Sequence, residues 1–268
     1  MKRSPFFLAA VAAVCLLTAA CSRSSSAAAA EVLQALAATA ALTDYAVVAD
    51  TTMTVQGDTG ADGLSMTQCM WRTGDNAMQK MTTYDAQGRP LFENGSALVD
   101  GVYYWYDGKH WAPDDTGIAA SANLDWMPKV NWPEKESDLT VTENDGTYTV
   151  TVGKGAFPAM IEEQVAAMQE EEKALEAQGL TREAEERRAM WQSAEQAEYE
   201  ELRYTIEVEN GVAVACTTYS RVRQPDTGAE STAGMPVSEI TYTWRLTGTD
   251  AAQIADIIGE AAARGPAA

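Results

Sequence analysis

Between residues 45 and 246 the chain alternates apolar and polar residues in short runs, punctuated by Gly-, Asn- and Asp-containing pairs. This pattern limits the fold more than any other feature, because a period of two belongs to strands with one buried face. Tyr45, Val47, Ala49, Thr51, Met53 and Val55 open the series as a long strand. A glycine-rich loop is expected over residues 56–63, followed by strands over 64–72 and 77–84 joined at Gly74. Leu91, Phe92 and Glu93 lead into an expected turn at Asn94-Gly95, and strands over 97–99 and 102–106 meet at Asp100-Gly101. Residues 112–132 show no period and read as a long ordered loop. Strands over 139–142 and 148–152 flank Asn144-Asp145-Gly146, and strands over 202–209 and 212–222 flank Asn210-Gly211. A final strand covers 237–246.

Three segments carry a helical period instead. Residues 27–42 place Val32, Leu33, Leu36 and Ala40 on one stripe, and residues 250–263 turn Ile254, Ile257 and Ile258 inward. From 158 to 201 nearly every residue is a good helix former, with one break at 178–181. Gly179 suits a helix C-terminus and Thr181 the N-cap of the next helix. Ile161, Val165, Met168 and Leu175 share a face of the first helix, and Ala184, Trp191 and Ala194 share one of the second. Two helices alone bury too little to form a domain, so the pair reads as a helical hairpin inserted between strands. The expected class is α+β: one large curved antiparallel sheet of about nine or ten strands, with N- and C-terminal helices and the insertion at 158–201.

The N-terminus has its own logic. Met1-Lys2-Arg3 is a positive start, followed by an apolar run over residues 5–20 that is too short for the roughly 20 residues of a spanning helix. Residues 1–20 therefore read as a signal peptide. Leu17-Thr18-Ala19-Ala20-Cys21 resembles the lipobox of bacterial lipoproteins, with Leu17 one place earlier than usual. The resemblance implies cleavage before Cys21 and acylation, palmitate included, of that cysteine. The mature chain would then be lipid-anchored on the extracytoplasmic side of the cell membrane. Residues 21–30, with Ser22 and Ser24-Ser25-Ser26, form the lipidated cysteine and tether, and residues 31–268 a single domain.

The net charge of −20 becomes more negative once Lys2 and Arg3 leave with the signal. Such a body is repelled by nucleic-acid phosphate and anionic head groups, so attachment to the membrane must come from the acyl chains. Cys69 and Cys216 remain as two thiols outside the cytoplasm. Either they form a disulfide or both are small buried apolar residues. The one histidine, His110, cannot serve a multi-histidine metal site, and the cysteines lack zinc-ligand spacing. Neither a nucleophile elbow nor a phosphate-cradling loop occurs, and 39 acidic residues make a chance carboxylate pair uninformative. The chain is expected to be non-enzymatic, with no cofactor and no metal.

The aromatic cluster is the most specific feature of the body. Trp105, Trp111, Trp126 and Trp132 stand close together in sequence beside Tyr103, Tyr104 and Tyr106. These rings either line a ligand pocket or pair across strands in the sheet's core, and the pocket reading is stronger for Trp126 and Trp132, which lie among prolines. Tyr103 and Trp105 share one strand face, Tyr104 and Tyr106 the other. Met53, Met66, Met70, Met78 and Met81 either accommodate varied apolar ligands or fill core gaps. Glu170, Glu171, Glu172, Glu183, Glu185 and Glu186 form a solvated face or a dock for a cation or basic partner.

The N-terminal helix with Val32-Leu33-Gln34-Ala35-Leu36, the long strand after it, and the segment from Val99 to Trp111 resemble the LolA/LppX-like lipoprotein-carrier superfamily. That resemblance implies a sheet curled around helices, with acyl chains held between them; the helical pair at 158–201 departs from it. The first functional expectation is a lipoprotein that binds a lipid or other apolar ligand between sheet and helices. The alternative is a structural or protein-interaction lipoprotein of the cell envelope that uses the acidic helical hairpin.

Overall fold

The computed structural model describes residues 25–57, 60–117, 119, 124, 138–223 and 237–263; for 25, 26, 56, 57 and 60–63 it describes the backbone alone. Cys21, Trp126 and Trp132 lie outside the described residues, as does most of the loop expected over 112–132.

Eleven strands among these residues form one open antiparallel sheet, against the nine or ten expected. They are β1 (Asp44–Gly57), β2 (Gly60–Thr73), β3 (Asn76–Tyr84), β4 (Pro90–Val99), β5 (Val102–Tyr106) and β6 (Trp111–Pro113), then β7 (Leu139–Asn144), β8 (Thr147–Val152), β9 (Glu198–Glu209), β10 (Val212–Arg223) and β11 (Val237–Gly248). The spatial order is β6-β5-β4-β3-β2-β1-β11-β10-β9-β8-β7. The first six strands thus build outward from β1, and the last five return from the far edge until β11 pairs with β1. Helix α1 (Ser25–Ala40) precedes the sheet, α2 (Phe157–Ala177) and α3 (Thr181–Glu195) connect β8 to β9, and α4 (Ala251–Ala263) closes the chain.

Turn chemistry explains the tight connections. Asp100-Gly101, Asp145-Gly146 and Asn210-Gly211 all carry positive φ, between 50° and 80°, as two-residue turns matched to strand twist require. Two expected breaks are instead strand. Of the loop expected over 56–63, residues 56, 57 and 60–63 are strand, with Val55 paired with Asp62, Gln56 with Ala61 and Gly57 with Gly60. Asn94-Gly95 lies inside β4, opposite Met81 and Lys80. A Cβ at Gly95 would stand 2.6 Å from the Gln79 carbonyl and 3.3 Å from the Trp111 ring. This glycine is present because the Gln79 carbonyl, and then the Trp111 ring, leave no room for a side chain, not because the chain reverses.

The two terminal helices pack on opposite faces, as the strand register shows. Val47 pairs with Met70 on one face and Ala46 with Trp71 on the other. The first face holds the larger core, in which Ala28, Ala29, Val32 and Ala35 of α1 meet Val150, Tyr204, Ile206 and Trp244. The buried stripe of α1 differs from the expected one: Leu33 and Ala40 are exposed, whereas Ala28, Ala35 and Thr39 face inward. Small side chains win those positions because they let the helix lie close to the sheet. The Thr39 hydroxyl lies 2.9 Å from both the Ala35 and the Ala213 carbonyls, and the second contact ties α1 to β10. On the second face Ile254, Ile258 and Ala261 of α4 pack with Met78, Ala97, Val99 and Trp111. Asp250 begins α4 by accepting the backbone N–H groups of Ala252 and Gln253 at 3.0 Å.

The helical insertion ends earlier than expected: α3 stops at Glu195, and residues 198–201 belong to β9. Tertiary pairing with β10 overrides the helix propensity of those glutamates. Helix α2 ends in a Schellman motif, with Gly179 N–H donating to the Glu176 carbonyl and Leu180 N–H to that of Leu175, both at 3.0 Å. The N-cap of α3 is Leu180 and makes no side-chain cap bond; Thr181 is the first helical residue. Glu172 is not part of a solvated face. Only 8% exposed, it accepts Arg188 Nε and Trp191 Nε1, each at 2.6 Å, and so locks α2 to α3. Arg188 also reaches Glu176 at 2.7 Å, and Arg187 lies 3.1 Å from Glu171.

Candidate functional site

A cleft of about 210 Å³ lies on the α1 side of the sheet, between the start of α2 and strands β9 to β11. Its floor follows from strand alternation. Leu202 and Tyr204 of β9, Thr218 and Ser220 of β10, and Tyr242 of β11 point to the same face, with Thr218 registered against both Tyr204 and Tyr242. Its roof follows from helical spacing. Phe157, Met160, Ile161 and Gln164 stand at i, i+3, i+4 and i+7 on α2. Tyr199 closes one side, its ring centroid 5.8 Å from that of Phe157. Phe157, Leu202 and Tyr204 are buried, while the remaining aromatic and helical residues are partly open to solvent.

No Asp, Glu, Lys, Arg or His stands in this lining. Burial raises the hydroxyl pKa of Tyr199, Tyr204 and Tyr242, so all three stay neutral at physiological pH. Cys216, buried near Tyr204 and Tyr242, is pushed up to about 12 by the same desolvation. The cleft is therefore an apolar slot with neutral polar groups at its walls. It offers an apolar ligand contact area and a few hydrogen-bonding hydroxyls, and it lacks a charged acid, base or nucleophile.

Of the candidate ligand-binding aromatic residues that the structure describes, Tyr103 and Trp105 do not converge with Trp111. Trp111 is 2% exposed in the α4 core, 5.1 Å from the Tyr106 ring, with Lys80 Nζ 5.1 Å and 5.8 Å from the two ring centroids. Tyr103 and Trp105 project from the opposite face of β5 and are half-buried. Beside Trp105 a polar ladder crosses three strands: Gln68 donates to Gln79 at 3.0 Å and Gln79 to buried Ser96 at 2.9 Å. Four of the five methionines, Met53, Met66, Met70 and Met81, lie on the α1 side, and Met78 lies in the α4 core.

Cys69 and Cys216 are both free thiols, so the disulfide alternative falls. Cys69 pairs with Val48 and Cys216 with Trp244, which puts them on opposite faces with β1 and β11 between. Three strand spacings amount to about 14 Å, twice the reach of a disulfide. Among the described residues no three His, Cys, Asp or Glu side chains gather as metal ligands. No helix among them is long and apolar enough to cross a membrane.

Sequence reasoning missed Phe157, Tyr199, Tyr204 and Tyr242. Their alternation and helical spacing were visible, but neither signal says that the first turns of α2 fold over β9 to β11. Against known proteins, no family model matches the chain and no curated sequence matches it.

Proposed function

We propose that the chain is a non-catalytic extracytoplasmic lipoprotein, anchored through Cys21, that binds a lipid or other apolar ligand between its sheet and α2. The observation that carries this reading is the cleft beneath Phe157, Met160 and Ile161, uncharged throughout its lining. Its volume is below the roughly 300–1,000 Å³ of typical small-molecule sites, so it suits one end of an acyl chain better than a whole lipid. Each methylene moved from water into such a slot contributes about 0.8 kcal/mol. The likeness of the N-terminal helix and long first strand to lipoprotein carriers agrees with a ligand held on this side of the sheet.

The test is titration of the chain with a fluorescent fatty acid, together with native mass spectrometry of protein purified from membranes. One bound equivalent is expected. Gln164→Trp, which fills the cleft from its helical side, should weaken binding at least tenfold with an unchanged circular dichroism spectrum. No saturable binding by the parent chain, or equal binding by the variant, rejects the proposal.

A further inference from the structure

We propose that a groove along the α2–α3 hairpin docks a basic amphipathic helix of a partner protein. One stripe of α2, formed by Pro158, Ile161, Glu162, Val165, Ala166 and Gln169, lines this groove, and Glu195 at the end of α3 closes it. Its volume is about 650 Å³, well above that of the cleft on the sheet. The floor is apolar, with Val165 buried and Ile161 half-buried, and the small side chain of Ala166 leaves room for a close approach. The stripe runs over about 16 Å, or three helical turns, which matches the i, i+3/i+4, i+7 anchors of a helix lying in a groove.

Charge selects the partner. Between residues 157 and 195 carboxylates outnumber cations ten to four. All four cations are already engaged within the hairpin: Lys173 with Glu170, Arg182 with Glu186, Arg187 with Glu171, and Arg188 with Glu172 and Glu176. The carboxylates of Glu162 and Glu195 on the groove's rim, and of Glu163 beside them, share no ion pair or hydrogen bond with any described residue. An apolar trough with free carboxylates along it complements leucine-type anchors flanked by lysines or arginines. Phosphate polymers and anionic lipid are repelled by the same field. The inference does not rest on the apolar cleft, with which the groove shares only Ile161.

The experiment uses the chain carrying Cys21→Ser, so that no bilayer competes, and a labelled synthetic peptide of about four helical turns with leucines on one face and lysines elsewhere. Fluorescence anisotropy should show saturable binding. Ala166→Trp, which fills the exposed groove without changing charge, should weaken it at least tenfold, as should Glu162→Lys combined with Glu195→Lys. Circular dichroism checks that each variant folds. A peptide of the same composition with its leucines dispersed around the helix should bind at least tenfold more weakly than the amphipathic one. Equal binding of the dispersed peptide would show bare charge attraction and overturn the proposal. So would full binding by Ala166→Trp, or no binding by the parent chain.

Discussion

Trp191 donates its indole N–H to Oε2 of Glu172 at 2.6 Å, across the interface between α2 and α3. Arg188 occupies the other carboxylate oxygen, so one glutamate holds two residues of the facing helix.

The Trp191 bond, then that of Arg188, holds the Glu172 carboxyl below its ordinary value of 4.5. A lowered native pKa contributes stability above the unfolded value, and this contribution is lost as pH falls through the native value. The hairpin should therefore loosen below about pH 4.5. Hydrogen-exchange protection over residues 157–195 reads this directly. Glu172→Gln should weaken the acid loss of the hairpin's protection factors, which are exchange rates corrected for their intrinsic pH dependence; an equally strong acid response in that variant would rule out Glu172 as the cause.

Gly95→Ala should destabilise the chain by about 1–3 kcal/mol, the usual cost of overpacking. The added methyl meets backbone, the Gln79 carbonyl, and the edge of a buried indole, neither of which has room to retreat. Chemical denaturation measures it. A change below about 0.5 kcal/mol, typical of surface sites, would contradict the packing described.

Cys69 and Cys216 should both alkylate in denaturant without any reductant, and no disulfide-linked peptide should be found. In the native chain at pH 8 the two differ in access. Half-buried Cys69, its thiol pKa raised by burial and then by Asp50, should label slowly. Buried Cys216, pushed up to about 12, should stay unlabelled until the chain unfolds. Peptide mapping after iodoacetamide treatment distinguishes them.

Cys21→Ser should move the protein from the membrane fraction to the soluble one. Stable anchoring takes two acyl chains at about 0.8 kcal/mol per buried methylene, and the acidic body supplies no substitute. Continued sedimentation of the variant with membranes would remove the anchored reading.

Much of the architecture was legible because its causes are local. Asp100-Gly101, Asp145-Gly146 and Asn210-Gly211 turn the chain where the sequence places them, since positive φ is a property of those residues themselves. Ile254 and Ile258 face inward because helical spacing puts them on one stripe. The errors share a different cause. Asn94-Gly95 has the residues of a turn, yet the Gln79 carbonyl on the neighbouring strand and the Trp111 ring sixteen positions later require the glycine for packing. Glu198, Glu200 and Glu201 favour helix alone, and pairing with β10 made them strand.

The period of each segment, the position of most turns and the acidity of the body depend on neighbours along the chain and could be read from it. Which faces meet is a property of the folded chain. The tertiary structure placed Trp111 in one core and Tyr103 and Trp105 on the other side of the sheet, separated Cys69 from Cys216, buried Glu172, and laid Phe157 and Ile161 over Tyr204 and Tyr242. Strand order and helix docking are settled by contacts between residues far apart in the chain, and no local pattern records them.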